Sequence, residues 1–221
     1  MEIVNDFGTS LLDDAFKGYY LHSKGIGVIG GGVGLVSVAT CSTPVVSGEN
    51  YPVIAVKFPG FTQLYKGDQS ASLYTWVFYI EEAFKSVPFE YFIFKEALPG
   101  HALGTGLLVL KNAQDQVIYD SDANYLNVVD VIYTPYNQPI TRSYGTDHTY
   151  AICVTQPMVR RVTADTPGGW GRVDPFGAKI TSGGTGIFQE WTYRTSSGGD
   201  PTPPPGGNVW AGFLVADVTS F

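Results

Sequence analysis

Hydrophobic and polar positions alternate in short runs along the whole chain, and turn residues separate the runs. Because the runs are rich in Val, Ile, Tyr, Phe and Thr, they favour strands over helices. The predicted strands are Glu2–Val4, Tyr19–His22, Val33–Cys41, Tyr51–Phe58, Tyr74–Ile80, Tyr91–Lys95, Leu107–Lys111, Val117–Tyr119, Val128–Tyr133, Tyr150–Thr155, Val159–Ala164, Phe188–Arg194 and Val209–Val218. This pattern predicts an all-β, antiparallel β-sandwich, either one elaborated domain or two stacked β-domains with long loops.

One segment, Val77–Val87, also fits a helix, with Glu81, Glu82 and Lys85 on its exposed face. Its aromatic and β-branched residues favour a strand, so strand is the preferred interpretation.

The segment Leu107–Ile132 predicts a β-hairpin followed by a further strand. Its turn, Asn112–Asp115, separates an apolar run from the strand Val117–Asp120. Asn and Asp tolerate the left-handed backbone that tight hairpin turns require, so the turn has a physical basis.

The N-terminal segment Met1–Leu21 carries a weaker copy of this hairpin. Asn5, Gly8, Leu11 and Asp13 precede Asn112, Asp115, Ile118 and Asp120 by 107 residues. Gly8 and Asp115 both accept positive φ, so the turn has the same backbone requirement in both segments although the residue types differ. The residues expected to form the hairpin framework are Asn5, Gly8, Asp13, Asn112, Asp115 and Asp120.

Proline and glycine mark a boundary and two long loops. The run Pro135–Pro139 predicts a soft boundary between residues 1–135, which hold both hairpin motifs, and a second β-rich portion, 136–221. Loops are predicted over Thr166–Gly186 and Ser196–Asn208, and long loops often meet partners. The candidate contact residues in these loops are Trp170, Arg172, Phe176, Pro203, Pro204 and Pro205.

Charge and composition exclude several classes of protein. Hydrophobic residues make up 44% of the chain and charged residues 15%, which argues against disorder. With a net charge of −7 and no polybasic run, nucleic-acid binding through phosphates is not expected. Apolar runs are too short for membrane insertion, and the first residues do not resemble a secretion signal. Cys41 and Cys153 are expected to be free thiols in a reducing cytoplasm.

Two motifs that suggest ligand binding have structural interpretations. Gly25–Gly30 matches G-x-G-x-x-G, but the β-branched, Gly-rich residues after it disfavour the helix that a dinucleotide site needs. Asp120–Asn124 resembles the start of a calcium loop, yet Tyr125 and Val131 stand where Gly and Glu are needed. An Asx-rich turn is the preferred interpretation.

The sequence contains no recognisable catalytic set. His22, His101 and His148 lack metal-ligand spacing, and Asp147-His148-Thr149 has no accompanying nucleophile elbow. Adjacent carboxylates such as Asp13-Asp14 face opposite sides of a strand. We therefore expect neither an enzyme nor a cofactor or metal site.

The repeated pattern, an apolar strand, an Asn-x-x-Gly/Asp turn and a strand ending in Asp-Ser-Asp, resembles hairpins of minor tail and tail-tip proteins of tailed bacteriophages. The resemblance covers residues 1–25 and 105–135. It implies a structural component of the virion tail, near the distal tail, tail tip or fibre-attachment region, synthesised in the host cytoplasm. The implied partners are other tail proteins, further copies in a trimer or ring, and a host surface receptor. The alternative is a receptor- or carbohydrate-binding module that uses exposed loop aromatics.

Overall fold

The structure is a computed structural model that describes residues 3–4, 10–12, 18–30, 36–48, 50–96, 106–111, 115, 117–135, 138–163, 171–190, 193–194 and 210–221. In chain order the strands are β1 (Ile3–Val4), β2 (Ser10–Leu12), β3 (Tyr19–Ile26), β4 (Val28–Gly30), β5 (Val36–Pro44), β6 (Val53–Lys57), β7 (Thr62–Gln69), β8 (Leu73–Glu81), β9 (Glu90–Glu96), β10 (Val109–Lys111), β11 (Val117–Asp120), β12 (Asn127–Pro135), β13 (Ile140–Ser143), β14 (Tyr150–Gln156), β15 (Met158–Thr163), β16 (Gly171–Ile180), β17 (Thr185–Glu190), β18 (Tyr193–Arg194) and β19 (Trp210–Asp217). A single turn of 3-10 helix, Glu82–Phe84, is the only helix in the described part of the chain. The all-β prediction is confirmed.

The strands form two large antiparallel sheets and two separate hairpins. Sheet I has the order β12-β19-β14-β6-β9-β3, and sheet II has the order β13-β17-β16-β7-β8-β5-β4, with β15 and β18 also pairing with β16. The hairpins are β1–β2 and β10–β11.

The main core lies between the two sheets, as a sandwich requires. On β8, Tyr74, Trp76, Phe78 and Ile80 are buried and alternate with more exposed residues, because successive side chains of a strand point to opposite faces. Sheet I contributes buried residues such as Phe213 to the same cluster. The β-sandwich prediction is confirmed.

The central strands of sheet I have buried residues on both faces, and the two edges of the sheet come together at one end. Tyr20 of β3 forms an antiparallel bridge with Tyr125, two residues before β12. The Leu126 amide donates to the Tyr19 carbonyl at 2.7 Å, and the Leu21 amide donates to the Asn124 carbonyl at 2.7 Å. The two edge strands therefore meet, and a second cluster fills the enclosed space. Its buried members are Ala55, Phe92, Phe94, Ala151, Cys153, Ala216 and Val218.

The two hairpins share one register at an offset of 107 residues. In the first hairpin Ile3 pairs with Leu12 and Val4 with Ser10. In the second, Leu110 pairs with Tyr119 and Lys111 with Val117, and an irregularity falls at the same place in both ladders. The repeated hairpin predicted from the sequence spacing is therefore present in the fold.

The repeat extends beyond the hairpins into both sheets. The bulge at Leu21/Ser23 of β3 recurs 107 residues later at Val128/Asp130 of β12. Across sheet I, β3, β9 and β6 mirror β12, β19 and β14, and the two halves join where Val56 pairs with Ile152. In sheet II the corresponding junction is Thr62 with Ala178. Strand order and register thus repeat in two similar halves that join at these pairs.

Three sequence-based expectations are corrected or refined. The sequence predicts a loop over Thr166–Gly186, but β16 and the start of β17 occupy most of it, because strands on both sides satisfy the hydrogen bonds of this Gly-containing segment. The strand interpretation of Val77–Val87 holds as far as Glu81, and the 3-10 turn Glu82–Phe84 follows. The boundary at Pro135–Pro139 does not separate the sheets, since strands from both sides of it pair within each.

Candidate functional site

A hydrogen-bonded group of His148, Asp217 and Thr219 joins the start of β14 to the end of β19. Tyr150 and Asp217 are paired across these strands, which brings residues 69 positions apart into contact. His148 Nδ1 lies 2.7 Å from Asp217 Oδ2, and Thr219 Oγ1 donates to Asp217 Oδ1 at 2.6 Å. The Thr149 amide donates to Thr219 Oγ1 at 2.7 Å. The group holds the C-terminal residues against the sheet.

The carboxylate of Asp217 is the charged member of this group. Partial burial by itself would raise the pKa of Asp217, but hydrogen bonds from Thr219 and His148 outweigh it and lower the pKa below its ordinary value. In a neutral imidazole, donation from Nδ1 to this carboxylate leaves Nε2 as an acceptor.

His148 lies on a pocket of about 480 Å³ at the end of the sandwich. The junction pair, Val56 and Ile152, lines the pocket. The residues that follow Val56 in the chain and those that precede Ile152 also line it. The start of β9 and the turn between β16 and β17 complete it. The lining residues are Val56, Lys57, Phe58, Pro59, Val87, Pro88, Glu90, Thr146, His148, Thr149, Tyr150, Ile152, Ile180, Thr181, Ser182 and Gly184.

An ion pair forms part of the pocket wall. Lys57 Nζ lies 3.0 Å from Glu90 Oε1, on paired residues of β6 and β9. The two side chains are 43% and 42% exposed, so water screens their attraction and the pair adds little to stability. Its polar atoms remain accessible to a ligand.

His148 has two further polar neighbours besides Asp217 Oδ2. The Thr219 hydroxyl lies 3.5 Å from Nδ1 and itself donates to Asp217. Nε2 lies 3.5 Å from Oδ2 of the exposed Asp147.

A second candidate site is an apolar surface formed by the edge strand β12 and the start of its neighbour β19, which we call the β12 surface: Val131 and Tyr133 of β12 and Trp210 of β19. The three residues are 67%, 55% and 39% exposed, whereas the alternate residues Ile132 and Thr134 are buried. The Tyr133 and Trp210 rings stack with centroids 5.1 Å apart and planes 3° apart. Such a surface on an edge strand is suited to contact with another protein.

Two further exposed apolar groups lie elsewhere in the fold. Ile26 and Val28, around the end of β3, are largely exposed, and Ile26 is the counterpart of Tyr133 in the repeat. Leu107, Leu108 and Val109 are exposed at the start of the second hairpin.

Of the predicted contact residues, the structure describes Phe176 and the backbone of Arg172, and both lie in a strand. Phe176 is 1% exposed, lies in β16 and packs its ring 6.2 Å from that of Phe213, so it belongs to the core and the loop prediction for it is wrong. Arg172 also lies in β16, paired through its backbone with Val162, and not in a loop. Trp170, Pro203, Pro204 and Pro205 lie outside the described residues.

The described framework residues have the roles that turn chemistry predicts. Asp115 adopts φ of 60°, the left-handed backbone expected at the hairpin turn. Asp120 is fully buried, and its Oδ1 accepts the Asp122 amide at 2.9 Å, which is the predicted Asx turn. Asn5, Gly8, Asp13 and Asn112 lie outside the described residues.

The other motifs are structural within the part of the chain that the structure describes. The Gly25–Gly30 segment runs through β3 and β4 without a following helix. Cys41 and Cys153 are buried free thiols, and burial raises the pKa of each to about 12. Within the described ranges, no three His, Cys, Asp or Glu side chains are grouped as metal ligands would be. None of the described helices has the length and apolar character needed to span a bilayer.

Sequence reasoning noted Asp147-His148 but missed Asp217, and it missed both the Lys57–Glu90 pair and the β12 surface. The contact between His148 and Asp217 and the Lys57–Glu90 pair both depend on strand register, which no local sequence motif reveals. The sequence does carry a signal for the β12 surface, because β12 contains Val128, Val129 and Val131 with Asp130 as its one charged residue.

Comparisons with known protein families, with curated proteins and with solved structures found no match.

Proposed function

We propose that this chain is a structural subunit of a bacteriophage tail that assembles by burying exposed apolar strand surfaces against other subunits. The observation that carries the assembly role is the β12 surface. The assignment to a phage tail, and to a place near its distal end, rests on the resemblance of the repeated hairpin to hairpins of tail and tail-tip proteins.

The β12 surface has the properties of a protein contact. Natural edge strands usually carry charged residues that oppose association. Asp130, the charged residue of β12, accepts a hydrogen bond from the Tyr144 hydroxyl at 2.9 Å and lies 3.7 Å from Arg142 Nε. The negative charge of Asp130 is therefore offset by contacts within the same chain. Burying apolar surface contributes about 25 cal/mol per Å², and aromatic residues are common anchors at interfaces.

The repeat supports contact between copies of the chain. Because β3 and β12 are counterparts, the chain presents similar apolar positions, Ile26 and Tyr133, at two places. If the Tyr133 position of one copy contacts the Ile26 position of the next, repeated contacts of this kind form a closed ring when the rotation between copies divides a full turn evenly. Other tail proteins and a host receptor are the further partners in this proposal.

Light scattering across a concentration series tests the assembly. We expect a discrete trimer or larger ring for the wild-type chain, and a shift to monomer for Tyr133→Lys, because a buried lysine opposes the interface. Tyr65→Lys is the matched control: Tyr65 is an exposed tyrosine on β7, with its ring 4.6 Å from that of Tyr79, outside the β12 surface. A wild-type monomer at all concentrations, or equal effects of both variants, contradicts assembly through β12.

A separate measurement tests the tail assignment. Peptide mass spectrometry of purified tailed particles from cells that encode the chain should detect it. Particles that lack the chain would contradict the virion role even if the isolated protein self-associates.

A further inference from the structure

We propose that the pocket beside His148 binds a neutral, hydroxyl-rich ligand, namely a saccharide unit. The pocket lies where the two halves of sheet I join, away from β12, so the proposal does not rest on the assembly role. The volume of about 480 Å³ falls within the range of small-molecule sites.

The charges of the pocket favour a neutral ligand. Lys57 is paired with Glu90 at 3.0 Å, and His148 is hydrogen-bonded to Asp217 at 2.7 Å. The Lys57 ammonium thus already has a carboxylate beside it, and Asp217 and Asp147 at the His148 ring add negative groups. An anionic ligand would meet no unpaired cation among these residues.

The polar atoms favour hydroxyl groups. Lys57 offers donors, Glu90 offers acceptors, and the Nε2 atom of a neutral His148 accepts. Thr146, Thr149, Thr181 and Ser182, whose side chains carry hydroxyl groups, are also lining residues. A hydroxyl group both donates and accepts, so adjacent hydroxyls of a sugar can use both members of an ion pair.

The apolar lining is mainly aliphatic, and of its two aromatic residues Phe58 is buried and the half-buried Tyr150 packs its ring near those of Tyr144 and His148. Pro59, Val87, Pro88 and Ile180 line the pocket, and Phe58 is buried in the core. These side chains suit the C–H face of a sugar ring, whereas a nucleobase would need an exposed aromatic face for stacking.

Saturation-transfer-difference NMR with the full chain tests the proposal, using glucose, galactose, mannose and N-acetylglucosamine, with glucuronate as the anionic probe. We expect signals from at least one neutral sugar. Glu90→Gln should weaken its binding about tenfold, because a hydrogen bond to a charged group is lost. Ser182→Trp, at an exposed turn position, should block the pocket without disturbing the core.

The matched control is Asp68→Asn, which removes the carboxylate of the exposed Lys66–Asp68 pair on β7 and should leave binding unchanged. Silence from all four neutral sugars overturns the proposal. So does tighter binding of glucuronate, or binding that survives Ser182→Trp. Because Ser182→Trp tests the location of binding by itself, a folding defect in Glu90→Gln would not prevent a decision.

Discussion

At the scale of single residues, one hydrogen-bonded carboxylate ties the C-terminal end of the chain to the fold. Asp217 accepts hydrogen bonds from His148 and Thr219, and the Val218 amide donates to the Thr149 carbonyl at 2.8 Å. Phe221 then packs on Phe92 and Phe94, with ring centroids 6.3 and 5.7 Å away. A polar contact at the surface therefore positions an aromatic residue over the second cluster.

Asp217→Asn should lower the free energy of unfolding by about 1 kcal/mol at pH 7, because charge-assisted hydrogen bonds are lost. The pKa of Asp217 is lowered in the folded chain, so its contribution is present above the ordinary carboxylate pKa and is lost as the pH falls through the lowered value. Urea unfolding of both proteins between pH 7 and pH 2 should show the difference shrinking in acid. The neighbouring Asp147→Asn, at an exposed site, should have little effect; a constant difference at all pH values would contradict this account.

At the scale of elements, packing requires glycine at Gly27, between β3 and β4, but not at Gly30 of the same motif. A Cβ at Gly27 would lie 2.9 Å from Phe89 Cδ1 and 3.1 Å from the Thr40 carbonyl oxygen. Phe89 is fully buried and Thr40 contributes backbone, so neither can move freely. At Gly30 a Cβ would meet nothing within 4 Å.

Gly27→Ala should therefore destabilise the fold by about 1–3 kcal/mol, the usual range for overpacking. Gly30→Ala, in the same motif, should change stability by less than about 0.5 kcal/mol. Thermal unfolding followed by circular dichroism distinguishes the two. Equal losses would mean that the motif needs glycine for its backbone conformation or for a ligand, and that packing is not the reason.

At the scale of the whole molecule, the two halves share both sheets and one core. Val56 pairs with Ile152 across sheet I, and Thr62 pairs with Ala178 across sheet II. The main core cluster takes side chains from both halves, including Trp76 and Phe213. The halves should therefore unfold together.

Ile152→Ala should destabilise the chain by about 2–5 kcal/mol, because it opens a cavity at the junction of the halves. Tryptophan fluorescence and far-ultraviolet circular dichroism should give one coincident urea transition for the wild type and for the variant. Two separate transitions in the wild type would contradict the shared core.

Strands are easier to predict from this sequence than the neighbours with which they pair. The strand Tyr74–Ile80 is predicted because buried and exposed side chains alternate there, while β7 is missed because Lys66, Gly67 and Asp68 hide the pattern. Glycine and proline around Phe176 predict a loop, yet pairing with β15 and β17 makes that segment a strand. The pocket could not be predicted, since it depends on which strands meet at the junction.

By itself, the sequence determined the β class, the left-handed turn at Asp115 and the 107-residue spacing of the two hairpins, because these follow from side-chain preferences over a few residues. Only the tertiary structure decided how sheet I closes, where the halves join, and that His148 meets Asp217. The tertiary structure also decided that the Tyr133 side chain is exposed. The physical reason is that strand register and order are set by hydrogen bonds and burial between segments far apart in the chain, which local patterns do not specify.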